Sequence, residues 1–216
     1  MDTRRTLTTL ILVSFLSTSA WAQSGELSLG PQINGFGIGA SVSYSLTDLL
    51  SLSAEFGFLP ISDVSLTVED IEYTISPDIS GGIIGINLHP FKGNFSVGVG
   101  VVLGKYSSEA ETGQLSDAVE IGDTDFDAAS VGSLEGDFAM EGAWPAVMIG
   151  WRGSGFNFGL GIAFNDRPDI EVISTGSINN NPFFQGELEK EIRRIREKFD
   201  AIGLIRIGYQ FGIGSK

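Results

Sequence analysis

Cysteine is absent from all 216 residues, so neither disulfides nor thiolate chemistry act in this chain. An exported fold without disulfides needs another closure, and a ring of backbone hydrogen bonds supplies one. Histidine occurs once, as His89. Basic residues are scarce: 13 Lys and Arg stand against 27 Asp and Glu, a net charge of −14. That balance leaves nothing to neutralise phosphates and excludes a nucleic-acid partner. No run of 18 apolar residues occurs after the N-terminus, which excludes a membrane-spanning helix there. Glycine, by contrast, is abundant at 29 residues without a collagen-like period, so its meaning lies in its positions.

The first residues read as a targeting segment. Arg4 and Arg5 form a basic start, residues 7–16 a short apolar run, and Ala20-Trp21-Ala22 a small-x-small cleavage pattern. This assigns 1–22 to a signal peptide and 23–216 to the mature domain. Eleven basic and 26 acidic residues then remain, a net charge of −15.

The dominant pattern along the mature chain is alternation at period two, the period of a β-strand. Over 36–45, Phe36, Ile38, Ala40, Val42 and Tyr44 alternate with Gly37, Gly39, Ser41, Ser43 and Ser45. Over 50–59, Leu50, Leu52, Ala54, Phe56 and Phe58 alternate with Ser51, Ser53, Glu55 and Gly57. Segments 95–104, 156–164 and 201–211 repeat the design. Each is about ten residues, the length of a tilted strand that crosses a bilayer. Short turns at 46–49, 91–94 and 152–155 join them in pairs, and long polar loops at 60–78, 105–138 and 165–200 separate the pairs. Segments at 79–90 and 139–151 and a first strand at 26–33, closed by Asn34-Gly35, bring the count to eight. Pro145 lacks a ladder donor, which predicts a bulge in 139–151.

The two faces of these strands differ in kind. One is Phe, Leu, Val and Ile. The other is Gly and Ser with few exceptions: Glu55, Asn157, Arg206 and Gln210. A face so poor in charge makes a poor water-facing surface, but it suits the interior of an eight-stranded barrel. The expected fold is therefore all-β: a closed antiparallel transmembrane β-barrel of about eight strands, apolar face outward. Aromatics near segment ends (Phe58, Phe95, Trp151, Phe156, Phe164, Tyr209, Phe211) fit interfacial girdles.

This pattern resembles the small outer-membrane β-barrel proteins of Gram-negative bacteria, the OmpW/OmpX-like group. The most specific likeness is the last strand, where Ile207, Tyr209 and Phe211 are similar to the alternating C-terminal signal that such barrels present for assembly. Five residues, Gly212 to Lys216, follow the aromatic, whereas the group's barrels commonly end on it. The resemblance implies the cell outer membrane as location, and outer-membrane lipid, lipopolysaccharide and the barrel assembly machinery as partners of a monomer. It does not imply an activity.

Several features invite chemistry. Outer-membrane enzymes acting on lipid A use a histidine near the outer leaflet, but His89-Pro90 lies beside a short turn on the other side. It reads as a turn residue, with no enzyme and no cofactor expected. Segment 105–141 holds ten acids and one base, Lys105, and 60–78 adds Asp63, Glu69, Asp70, Glu72 and Asp78. Asp123, Asp125 and Asp127 are spaced like the start of a calcium loop, yet Ala128 and Leu134 stand where Gly and Glu are needed. The acids read either as a solvated surface or as a loose divalent-cation site shared with lipopolysaccharide phosphates. Residues 183–200 are the one helical stretch, with Leu188, Ile192, Ile195 and Phe199 on one stripe and Asn181-Pro182 as start signal. That helix caps the barrel mouth, plugs it, or lies on its rim. Glu55 and Arg206 form a structural ion pair or mark a polar pathway. Three roles stay open: a non-enzymatic structural or surface-interaction barrel, a narrow channel for small or hydrophobic solutes, and a soluble periplasmic lipid-binding barrel.

Overall fold

The structure, a computed structural model, describes residues 25–68, 71–115 and 117–213. The signal-peptide assignment at 1–22, the acids Glu69 and Asp70, and the last three residues lie outside the described residues.

Eight strands close into a ring: β1 (Leu27–Asn34), β2 (Gly37–Thr47), β3 (Leu50–Phe58), β5 (Ile71–Leu88), β6 (Phe95–Thr112), β9 (Leu134–Trp151), β10 (Gly155–Ala163) and β12 (Ile202–Ile213). Each pairs antiparallel with its neighbour, and β12 returns to β1. Two short strands extend the wall at its long-loop end, β4 (Val64–Val68) on β5 and β11 (Asp169–Ser174) on β9. Among the described residues a hairpin, β7 (Val119–Ile121) with β8 (Thr124–Phe126), and two α-helices, α1 (Ala128–Val131) and α2 (Pro182–Arg196), stand beyond the wall.

The pairing explains much of the glycine. Followed once round the wall from Asn157, the hydrogen-bonded row passes Gly208, Gln32, Gly39, Gly57, Gly81, Gly104 and Gly142. It meets the continuation of β10 about ten residues beyond its start, a shear of about 10 and hence a strand tilt of about 40°. Six of the eight positions in that row are glycines, and all eight face inward. They leave room for side chains folded across the lumen. A Cβ on Gly104 would stand 2.7 Å from the Phe36 ring and 3.0 Å from Trp144, and one on Gly142 2.8 Å from the Trp144 indole nitrogen.

The faces are divided as the alternation requires. Outward stand exposed Val42, Leu52, Phe56, Ile84, Ile86, Val99, Ile149, Leu160 and Ile205, a continuous apolar exterior. Inward stand buried Ser28, Gln32, Ser41, Ser43, Ser51, Ser53, Glu55, Asn87, Ser96, Asn157, Arg206 and Gln210. A water-soluble barrel would reverse this arrangement.

Four expectations are corrected. Phe36 does not share the outward face of β2. It sits in the β1–β2 turn and folds into the lumen, 1% exposed, because the glycine row opens space there. The long loops at 60–78 and 105–138 are largely strand, since β5, β6 and β9 each run 18 residues. Pro145 makes no bulge: β9 keeps one register against β6 straight through it. Its carbonyl accepts from Phe164 N at 2.9 Å, so its missing donor faces β10 just past the end of that ladder at Ala163–Ala146, and only the return bond to Phe164 is forgone. Finally, α2 stops at Arg196, so Phe199 lies beyond the helix and packs on Phe138, ring centroids 5.4 Å apart.

Candidate functional site in the lumen and its cap

The lumen is filled at two levels. In the half nearer the short turns the filling is polar and centred on Glu55. Its Oε1 accepts from Arg206 Nη1 at 2.7 Å and also from Arg152 Nη2, and its Oε2 accepts from Gln32 Nε2 at 2.9 Å. All three ionic side chains are nearly fully buried. Gln210 accepts from Ser43 Oγ at 3.2 Å and donates to Ser41 Oγ at 2.7 Å, and Asn87 donates to Ser53 Oγ at 3.1 Å. Asn157 is fully buried beside this network.

His89 closes the turn end. Its Nδ1 lies 2.9 Å from the Gly93 carbonyl and therefore carries the proton, leaving Nε2 to accept from Ser51 Oγ at 2.9 Å. Burial in the turn holds its pKa below the usual histidine value, so it is neutral at neutral pH and adds no charge.

Toward the long-loop end the filling turns aromatic. Phe36 lies 5.1 Å from Tyr106, which stacks on Trp144 at 6.2 Å, ringed by Ile83, Val102, Ala146 and Leu204. Polar cross-lumen bonds and an aromatic layer thus follow one another along the barrel axis.

Beyond the barrel the last two long connections build a second core. Leu115, Ile121, Phe126, Val131, Phe184 and Leu188 are buried together, with Ile192 packed against them. Ile195, the next residue of the expected stripe, is half-buried. Asn181 caps α2, its Oδ1 accepting from Phe183 N at 2.9 Å, and Pro182 occupies the first turn, where its missing N–H costs nothing. The helix is tied across to the β7–β8 turn. Arg194 donates to Asp123 Oδ1 at 2.7 Å and to the Gly122 carbonyl at 3.2 Å, and Glu187 Oε2 accepts from Asp123 N at 3.1 Å. The bond from Arg194 holds the Asp123 carboxyl below its usual pKa, and the bond from Lys190 does the same for Glu187.

Asp123, Asp125 and Asp127 do not converge. Asp123 binds Arg194, Asp127 caps α1 through Ser130 N at 3.2 Å, and Asp125 is exposed on β8. Among the described residues no three His, Cys, Asp or Glu side chains are grouped to hold a metal ion. The remaining acids stand mainly on strands. Glu171, Asp137 and Glu109 pair across β11, β9 and β6 on the outer face, and Glu135 pairs Glu111 in the next row. Lys105 binds Asp78. Ile207, Tyr209 and Phe211 of the last strand face outward and are exposed.

Sequence reasoning missed Arg152, Gln32, Asn87, Phe36 and Trp144. Parity carries the signal for Arg152: Trp151 faces out, so its successor faces in. The fold of Phe36 into the lumen has no such signal, because a turn breaks the alternation.

Wall, lumen and exterior define a closed, eight-stranded, antiparallel transmembrane β-barrel with a folded cap. No protein-family model matches the sequence, and no curated protein matches it. The fold is similar to the crystal structure of Acinetobacter baumannii CarO, with a TM-score of 0.64 at 14% identity over 85% of this chain and 96% of that one. It is likewise similar to the crystal structure of Acinetobacter baumannii CarO2, with a TM-score of 0.66 at 14% identity over 88% and 100%.

Proposed function

We propose that this protein is a non-enzymatic, non-conducting barrel of the bacterial outer membrane, exported by its N-terminal signal segment, whose acidic outer wall and cap serve a structural or surface-interaction role. One observation carries the reading: the lumen is crossed by the Glu55 ion cluster and again by the Phe36–Tyr106–Trp144 layer. Eight strands leave space only for such filling. The apolar exterior and the likeness of fold to the CarO structures support the membrane location. The outward Ile207, Tyr209 and Phe211 suit recognition by the assembly machinery. Like charges directly opposite each other, as at Glu111–Glu135, destabilise a sheet unless something neutralises them. Divalent cations shared with lipopolysaccharide phosphates would do so.

A narrow channel is the competing reading, favoured by the serine-rich half of the lumen. Planar-bilayer recording of the refolded full chain separates the two. The closed reading expects no reproducible conductance steps. Steps that recur between preparations and change on deletion of 183–200 contradict it.

A further inference from the structure

The buried cluster in the lumen is not charge-balanced. Arg152 and Arg206, each 2% exposed, share one carboxylate, Glu55. His89 is held neutral by its turn. Glu26, the residue before β1, is only half-buried and stands at the short-turn mouth, where its Oε1 accepts from Ser28 Oγ at 3.5 Å. One positive charge is therefore left over inside the barrel, where an uncompensated charge is strongly disfavoured.

Arg152 uses Nη2 and Arg206 uses Nη1 on Glu55, and other polar atoms of the cluster are left without a partner. Arg152 Nε and Nη1, Arg206 Nε and both amide atoms of Asn157 are buried and bond to nothing in the protein. The register brings them together. One step beyond the Phe158–Trp151 pair, Arg152 stands opposite Asn157. Two residues above Asn157 on the same inward face is Gly159, and the Arg206 guanidinium lies over it, 2.8 Å from where a Cβ would be. A side chain at position 159 would displace the guanidinium.

We infer that Arg152, Arg206 and Asn157 form a binding site for one small monovalent anion of the halide class, which completes the charge balance of the lumen. A single negative charge matches the excess. Guanidinium and amide N–H groups are the donors such an ion takes. The site is distinct from the surface role proposed above and does not depend on it.

Bromide serves as the probe. The refolded full chain, unfolded by urea in micelles at constant ionic strength, should show a higher midpoint in sodium bromide than in sodium gluconate. At bromide a hundred times its dissociation constant the folded-to-unfolded ratio should rise about a hundredfold. Asn157→Asp places the missing charge on the protein itself, so it should raise the gluconate midpoint and abolish the bromide effect. Arg152→Gln removes the excess and should also abolish it. Crystals grown in bromide should show an anomalous peak between Arg152, Arg206 and Asn157. A wild-type midpoint indifferent to bromide, or bromide found only on the outer surface, overturns the site. So does bromide stabilisation that persists in both variants.

Discussion

At the scale of single residues the barrel turns on Glu55. Among the described residues it is the one buried acid of the lumen, and it answers two guanidinium groups and an amide. Removing one partner of a buried ion cluster is far costlier than never having built it, because the other charges stay behind unsolvated. Glu55→Gln is expected to lower unfolding stability by about 3–5 kcal/mol, read as a urea midpoint in micelles. Asn87→Ala, which removes one neutral bond to Ser53, should cost about 1 kcal/mol. Equal losses would mean that the ion cluster is not what holds the lumen. Glu55, Arg206, Asn157 and Gln210 were legible as lumen residues because a strand's parity is strict. Arg152 was hidden by its position in a turn, although the parity of β9 already pointed it inward. His89 contributes in the opposite sense to a paired histidine. Its folded pKa lies below its unfolded value, so its share of stability is complete above the ordinary histidine range. That share is lost as pH falls through the range, when the unfolded chain takes up a proton the turn refuses.

At the scale of elements, the glycine row and the cap depend on neighbouring elements. The atoms nearest to a Cβ on Gly104 of β6 belong to side chains in the lumen, Phe36 from the β1–β2 turn and Trp144 from β9. Gly104→Ala should therefore cost about 1–3 kcal/mol by overpacking. Phe36→Leu in the same chain should recover part of that loss, a favourable coupling of about 0.5–3 kcal/mol in a double-mutant cycle. Strict additivity would mean that the ring and the glycine do not compete for one space.

The cap is held differently, by an apolar core and by carboxylates whose pKa values are depressed. The contribution of Asp123 and Glu187 is present at neutral pH and lost as pH falls below the usual carboxylate range. Amide protection over 119–126, corrected for intrinsic exchange, should drop below about pH 4. Protection unchanged at pH 2 would assign the docking to the apolar core alone. The sequence showed the middles of the strands but not their upper ends, for a physical reason. Within the apolar band the outward side chains must be apolar, so the period is plain. Above it the outward face turns charged while the inward face mixes small and apolar residues, so Glu109 and Glu111 alternate with Ser108 and Ala110 without the bulky apolar stripe that marks the period below. The upper thirds of β6 and β9 therefore read as loop. The start of α2 was legible in Asn181-Pro182. Its end was not, because Phe199 continues the apolar stripe after the helix has stopped.

At the scale of the whole molecule, ten-residue alternation, a glycine row and a filled lumen are one design. Bulky apolar groups face out, and small residues face in, leaving room for a few polar and aromatic side chains to close the interior. This division also decides against a soluble lipid-binding barrel, which would need its apolar face within. The most direct measurement uses the absence of cysteine, which gives single-cysteine variants a clean background. Cysteines at Ile84, Val99 and Ile149 should carry a fluorophore that a lipid-borne nitroxide quenches strongly in refolded proteoliposomes. Cysteines at Ser53, Asn87 and Ser96, one strand position out of phase, should resist labelling in the folded protein or escape quenching. The reverse pattern, or quenching that does not alternate with position along the strand, would contradict an outward apolar face and the transmembrane barrel with it.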